Sequence, residues 1–465
     1  MELPGKKISE LEKRFSETND PRDLRLIIME CLNLGDLNRA RMHNAKLGEL
    51  APYDPGQSFF AGLIFEKSGD LNKAFWHYKF AFYRMPSQRQ AFERAWHLVK
   101  TLDQEQLYQK PADVVFYTGN YLLEPKFNPE TLKTRGLGGS ESAFVYLTAE
   151  LAKLGLKVLA FCNCDKPGIY DGVEFLPVED FAFYHQVNQY KKVVGLRNAD
   201  AFLGDLNPKA RHIFWLQDAA TTQLYKDFDF KYYRIDEVCV LSQAHKKNWQ
   251  ERHFLGDDKF FLTKNGFDPG VFYPETGRKS QLIYASRPER GFKEAVAVYQ
   301  HLRHKFPELK LKACTYSSKD NILDDPLIRE VSDLFDMEGV EFLGALSKIE
   351  FARHLRESLV LLHPNVQNNV ETSCIAAIEA QACGVPVVCG RGGAMAETVL
   401  DGRTGLVVEW NNNPETLVRE LGLATDKILS DQDFYSKLSC GARQWAHENY
   451  RWDLIAGEWM KHWLA

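Results

Sequence analysis

Glu371 and Glu379 stand eight positions apart around Thr-Ser-Cys-Ile-Ala-Ala-Ile, and two carboxylates fixed at such a spacing are acceptors suited to a hydroxyl-rich ligand. Eight residues on a helix at 100° each return to within about 80° of the starting face. The spacing therefore predicts two acids looking toward one cleft from the first and third turns of a helix. A helix start, with its free amides and the positive end of the macrodipole, favours a carboxylate and equally seats a sugar hydroxyl or a phosphate. The segment after the pair, Ala382-Cys-Gly-Val-Pro-Val-Val-Cys389, reads as helix end, turn and buried strand. The alternative for the pair is a helix-start acid plus a solvated glutamate.

Three other groups carry the chemistry an anionic, polyhydroxylated ligand needs. Leu137-Gly-Gly-Ser-Glu141 lies between a strand and a helix, where Gly138 and Gly139 let backbone amides approach an anion; the alternative is a tight turn. Arg287 and Lys293 flank Pro-Glu-Arg-Gly-Phe just after a strand ending at Ser286, two cations able to neutralise a diphosphate, or else an ordinary solvated basic loop. Gly392-Gly-Ala-Met-Ala-Glu397 is a second glycine turn that feeds a helix.

The elements that must position these residues alternate. Ala112–Thr118 and Leu156–Cys162 read as buried strands separated by an amphipathic helix, Ser140–Leu154. Short apolar strands follow at Lys192–Gly195, Ala201–Gly204, His212–Leu216 and Val238–Leu241. A second series comprises Gln281–Ala285, Leu309–Cys314, Val340–Leu343, Leu359–His363 and Val385–Cys389. Strand, helix, strand in this order implies parallel sheets covered on both faces. The turn-rich Asn265-Gly-Phe-Asp-Pro-Gly-Val-Phe-Tyr-Pro274 joins the two series. Two Rossmann-like domains joined there leave a cleft at the carboxyl ends of their strands.

The first hundred residues obey a different rule. Gly35-Asp-Leu-Asn-Arg-Ala40 recurs as Gly69-Asp-Leu-Asn-Lys-Ala74, a displacement of 34 residues, which signals stacked helix pairs. Around the second copy Gly62, Phe65, Ala74, Tyr78, Ala81 and Pro86 fall where a tetratricopeptide repeat wants small residues, aromatics and a helix-stopping proline. The first copy keeps Ala40 and Pro52 but has Ile28 and Cys31 in place of Gly and an aromatic, and a third unit from about Arg89, with Phe92 and Trp96, is degenerate. Two and a half repeats are marginal alone and are expected to lean on the adjoining α/β domain. The module reads as a platform for a protein partner, as a means of self-association, or as a structural extension. The expected division is 1–108 helical module, 109–272 first Rossmann-like domain, 273–447 second Rossmann-like domain, and 448–465 a last helix.

Composition narrows the classes. A chain of 465 residues with 45% hydrophobic content can bury two or three cores. Lys plus Arg at 58 against Asp plus Glu at 63 gives a net charge of −5 with no basic stripe, so no nucleic-acid partner is expected. The longest apolar runs are strand length, and Met1–Asp20 is charged and polar, with no signal-peptide pattern. Nine cysteines in no zinc or disulfide spacing read as reduced structural thiols in a cytoplasmic protein. Asp324-Asp325 beside Pro326 lacks further ligands, so no metal is expected.

Arg287 with Lys293, Asn265-Gly-Phe-Asp268 with Phe272, Glu371 to Glu379, Ala382-Cys-Gly-Val-Pro-Val-Val388, Gly392-Gly393 with Glu397, and Gly405-Leu-Val together resemble the C-terminal half of family-4 retaining glycosyltransferases with a GT-B fold. The resemblance spans roughly residues 112–460, specific in the second domain and loose in the first. It implies an α/β protein of GT-B architecture preceded by the all-α module. The implied reaction is retaining transfer of a sugar from a nucleotide-diphosphate sugar to a hydroxyl of a glycan, a lipid-linked glycan or a polypeptide, with no cofactor. By resemblance Arg287 and Lys293 hold the donor diphosphate, Glu371 contacts the donor sugar and Glu379 the ribose. Gly138 and Gly139 serve the phosphate side, and Thr372, Ser373 and Gly393 complete the donor set. The last helix, with Trp452 near its start, crosses back to the first domain. Many family members carry a His after the strand corresponding to His212–Leu216; here the stretch is Trp215-Leu-Gln-Asp-Ala219, which leaves Gln217 or Asp218 beside the reacting sugar. The aromatics of Phe181–Tyr190 and Tyr225–Tyr233 suit stacking on sugar rings, or packing. The rival readings are a nucleotide-sugar epimerase or phosphorylase of the same fold, and a catalytically dead repeat-bearing binding protein.

Overall fold

The computed structural model describes residues 4–85, 87–119, 126–188, 190–197, 209–221, 225, 228, 234–315, 329, 331–366 and 371–464. Pro86, the strand expected at Ala201–Gly204, Asp324-Asp325 and most of Tyr225–Tyr233 lie outside them. The chain divides into two compact units, and Pro177–Gln189 belongs with the N-terminal one.

The first unit is built from helices Pro4–Thr18, Pro21–Leu34, Leu37–Leu50, Pro55–Lys67, Leu71–Arg84 and Arg89–Thr101. Its repeated Gly-Asp is a stop and a start. Gly35 and Gly69 take the left-handed backbone (φ +77° and +83°) that ends one helix, and Asp36 and Asp70 then cap the next, accepting from the amides of Arg39 and Lys73. Ala40, Ala74 and Ala81 are fully buried where helices approach. A Cβ on Gly62 would stand 2.5 Å from the Tyr78 ring, which is why that position carries no side chain.

The expected support for this short array comes from residues placed in sequence in the first α/β domain. Phe181, Phe183 and Tyr184 of the Phe181–Val187 helix are buried, with Phe183 packed against Phe75, Phe92, Trp96 and Tyr108. Lys79, also buried, forms an ion pair with Asp180 at 2.5 Å. The expected boundary at residue 108 is therefore incomplete. These aromatics are core, and so are Tyr225 and Phe228; the sugar-stacking role raised for them does not hold, because their faces are covered.

The second unit contains two sheets. The first has eight strands: β1 (Val114–Tyr117), β2 (Val158–Cys162), β3 (Gly168–Tyr170), β4 (Val173–Pro177), β5 (Lys192–Leu196), β6 (Arg211–Trp215), β7 (Glu237–Val240) and β8 (Phe260–Leu262). Their order is β3-β4-β2-β1-β5-β6-β7-β8; from β2 through β8 the neighbours run parallel, in register such as Val114↔Val158 and Val114↔Lys192, and β3–β4 is an antiparallel hairpin. The second sheet is all parallel, with β9 (Gln281–Ala285), β10 (Lys310–Cys314), β11 (Val340–Gly344), β12 (Val360–His363), β13 (Val387–Gly390) and β14 (Gly405–Val408) in the order β11-β10-β9-β12-β13-β14. The central strands are buried along their length, with only Ala285 at the end of β9 partly exposed among those of β1, β2, β9, β12 and β13, as parallel strands covered on both faces must be.

The last helix, Trp452–Leu464, packs on the first sheet. Trp452, Ile455 and Trp459 join the core of Phe116, Phe144 and Trp215, and Trp459 Nε1 donates to Thr263 Oγ1 at 2.6 Å. Where the chain passes between the sheets the two crossings lie side by side: the Phe267 amide donates to the Tyr450 carbonyl at 2.8 Å and the Trp452 amide to the Phe267 carbonyl at 3.4 Å. A Cβ at Gly266 would stand 2.6 Å from the Tyr450 oxygen, so this close passage needs glycine. Eight of the nine cysteines are buried.

Candidate functional site

A cavity opens between the two sheets beyond the carboxyl ends of β9 and β10. Gly136 and Gly139 line it from the first sheet's side, and Ser286, Thr315, Lys348 and Glu379 from the second's. This is the place a doubly wound architecture offers a ligand, and it joins residues that the sequence separates by more than two hundred positions.

Glu379 lies on the Ile375–Ala382 helix with its carboxylate almost wholly buried. Burial pushes its pKa up, and Lys348, bonded to its Oε1, pulls the other way. Lys348 is the first residue of the Lys348–Glu357 helix, which a reciprocal capping box between Ser347 and Glu350 starts at that point. The ammonium is thus placed by a defined helix end. Sequence reasoning missed it; the Ser-x-x-Glu signature at Ser347 was the available signal.

Glu371 is not on the helix. The expectation of a first-turn and third-turn pair is corrected: the helix begins at Ile375, and Glu371 sits in the preceding loop because tertiary bonds outweigh the local periodicity. Its carbonyl accepts from the Ala394 amide at 2.7 Å, and Thr372 Oγ1 donates to the Gln217 carbonyl at 2.7 Å. Its carboxylate, 5% exposed, accepts from Arg290 Nη1 at 2.6 Å and from the Ser373 amide at 3.3 Å. Gly393, with φ +51°, backs this loop so closely that a Cβ would meet the Glu371 oxygen at 2.3 Å. Its part in this structure is to seat Glu371.

Arg290 is the cation the sequence reading passed over. It closes the short turn Pro288–Arg290, after which Gly291 (φ +119°) starts the Phe292–Arg303 helix. The signal was Arg-Gly at a strand-to-helix turn, where a glycine in left-handed backbone re-aims the residue before it. Arg287 and Lys293 are both exposed, Arg287 within 3.8 Å of Glu289. Donor atoms of His363, Glu371 and Cys374 lie within 4.8 Å of one another, but Arg290 already holds the Glu371 oxygen nearest His363. Burial lowers the His363 pKa to about 4 and raises Cys374 far above its usual range.

On the first sheet's side Gly138 caps the Gly139–Lys153 helix without a side-chain bond. A Cβ there would stand 2.2 Å from Glu141 Oε2, and one on Gly139 would stand 3.1 Å from Ile375 of the other sheet's helix. Arg197, whose left-handed backbone (φ +56°) comes just after β5, bonds Asp218 at 2.6 Å and lies 3.8 Å from Glu141. Tyr225 donates to Asp218 at 3.2 Å. Asp218 is therefore a guanidinium-paired carboxylate. Gln217 exchanges amide bonds with Asn265 at 3.0 and 3.3 Å and is buried there. The Asp218 carbonyl accepts from His245 Nε2 and Trp249 Nε1. The Leu241 amide donates to His245 Nδ1, which fixes the Nε2–H tautomer, and burial lowers this histidine to about 4. Glu397, in the short Met395–Thr398 helix of the second domain, uses both oxygens to accept from the Gln243 and Ala244 amides at 2.8 Å, capping the Gln243–His253 helix of the first.

Residues 274–445 match the family model described as glycosyl transferases group 1. Among curated proteins, the chain is 31% identical over 182 residues to the GDP-mannose-dependent alpha-(1-6)-phosphatidylinositol monomannoside mannosyltransferase of Mycolicibacterium smegmatis, which covers 38% of this chain and 45% of that protein. It is 24% identical over 263 residues to the glycogen synthase of Mycobacterium tuberculosis, 55% of this chain and 60% of that one. The chain thus spans about half the length of these relatives. Among solved structures, sucrose-phosphate synthase from Thermosynechococcus elongatus superposes with a TM-score of 0.59 at 17% identity, covering 75% of this chain and 97% of that one. A glycosyltransferase from Rickettsia africae gives 0.58 at 16%, covering 76% and 98%.

Proposed function

We propose, from the match of residues 274–445 to the glycosyl transferases group 1 model and from the GT-B fold, that this protein is a retaining glycosyltransferase that moves a sugar from a nucleotide-diphosphate sugar to an acceptor hydroxyl. One observation carries the reading: the buried Glu379 carboxylate faces a cavity lined from both sheets, with the Gly136–Gly139 loop opposite. A carboxylate there accepts ribose hydroxyls, while glycine amides at a helix start serve a diphosphate.

Breaking the bond between sugar and phosphate develops negative charge on the leaving diphosphate and positive charge at the anomeric carbon. Cations and backbone amides stabilise the first. Arg287 and Lys293 remain the donor-diphosphate candidates, and Arg290 joins them because it alone of the three bonds a candidate donor-contacting carboxylate, Glu371. With Asp218 held by Arg197, proton removal from the acceptor falls to the leaving phosphate's own oxygen, which suits attack from the leaving-group face and needs no separate strong base. Acceptors in this reading are glycans, lipid-linked glycans or polypeptides. The mannosyltransferase and glycogen synthase relatives support the first two kinds.

The test is a thermal-shift screen of UDP, GDP and ADP with their sugars, then NMR of the anomeric configuration of the product. A ligand at 100 times its dissociation constant adds about 2.7 kcal/mol to the folded state. Stabilisation by one nucleotide family and a product of unchanged configuration are expected; stabilisation by none, or an inverted product, overturns the proposal.

A further inference from the structure

Lys348 is absent from the candidate residues that resemblance supplies, yet its side chain is largely buried, lines the cavity and bonds Glu379 Oε1. Its position is set by the Ser347–Glu350 capping box, and its ammonium also lies 5.8 Å from the centre of the Phe272 ring. A long, flexible cation held in so dry a place orders the group it touches.

The geometry points to Lys348 as a positioning residue that orients the Glu379 carboxylate and keeps it ionised for the hydroxyls of the nucleotide's ribose, an inference that rests on the nucleotide-sugar reading above. A carboxylate has about four acceptor sites, so one ammonium leaves room for two hydroxyl donors. A protonated carboxyl would instead offer a competing O–H.

The environment makes that ionisation dependent on Lys348. Burial raises the Glu379 pKa, and Lys348 is the group that opposes the rise. Among the described residues, Cys383, just beyond the Glu379 helix, is pushed up to about 12, and Tyr146 of the Gly139–Lys153 helix is also pushed up, both in part by the Glu379 charge. Cys314, which lines the same cavity, is raised to about 12. All three are neutral at physiological pH, so none substitutes for the ammonium.

The experiment is calorimetric titration of the full chain with UDP, GDP, uridine and guanosine from pH 6 to 8.5. Wild type, Lys348→Met, Lys348→Arg, Glu379→Gln and the double variant Lys348→Met/Glu379→Gln are compared. Lys348→Met should weaken nucleoside and nucleotide by the same factor. That loss should deepen as pH falls, about tenfold for each unit by which the freed carboxyl's pKa stands above the pH. Lys348→Arg should restore most of the affinity. The double variant, which leaves no lone buried charge and so keeps the test available if Lys348→Met does not fold, should bind like Glu379→Gln alone. Wild-type affinity in Lys348→Met overturns the inference, as does an equal loss at every pH without rescue by Arg. A loss confined to the diphosphates also overturns it, since the lysine would then contact phosphate. A wild type that binds neither these four probes nor ADP and adenosine overturns the nucleotide reading itself, a distinct result.

Discussion

Arg290 and Glu371 meet at 2.6 Å with the carboxylate buried, and a buried acid that loses such a partner is left as an uncompensated charge. Arg290→Ala should therefore cost transfer turnover on the order of 10²-fold, and more than Lys293→Ala, whose side chain is exposed. Turnover of the two variants with the donor found by the screen checks the order; equal losses would return Arg290 to a structural role. Both acids were legible as candidates from their types and spacing. That one stands off the helix was not, because the Thr372–Gln217 and Glu371–Ala394 bonds that hold it join positions far apart in sequence. Asp218 illustrates the same limit: its residue type was visible, but Arg197, which neutralises it, lies 21 positions away across two strands.

At the scale of elements, the interior strands were readable because burial on both faces writes a continuous apolar run. β9 matches its expected bounds. The strands that went unread, β3, β4, β8 and β14, carry half-buried or exposed residues, which blur both the alternating and the continuous pattern. The Phe181–Val187 helix was seen only as an aromatic cluster, since no local pattern tells which core an aromatic will enter. Its role carries a prediction: Phe183, fully buried among four aromatics, should cost about 3–5 kcal/mol on replacement by Ala, lowering the denaturant midpoint of the N-terminal unit. Nucleotide affinity should be unchanged. A midpoint equal to wild type would show that Pro177–Gln189 does not support the repeats.

For the whole molecule, acid tolerance is set in part by two interior histidines. His245 and His363 are buried and lowered from the ordinary 6.5 to about 4. Between those values the unfolded chain binds protons that the folded one refuses. The stabilisation from keeping these rings neutral is whole above pH 6.5 and is lost as the pH falls toward 4, at about 1.4 kcal/mol per pH unit for each ring. Urea midpoints of the second unit should drop through this window, and His363→Gln should leave about half the slope contributed by the pair. A midpoint independent of pH there would contradict the neutral assignment.

The paired passage of the chain between the sheets, with Gly266 pressed on Tyr450 and the Phe267 backbone bonded on either side of Arg451, has a mechanical meaning. Two separate tethers would let the lobes twist and slide; two zipped together constrain both motions. Glu397, gripping the amides of Gln243 and Ala244, and Thr372, donating to the Gln217 carbonyl, fasten the second lobe to the first, so swinging the halves apart to admit or discharge cargo would mean releasing both.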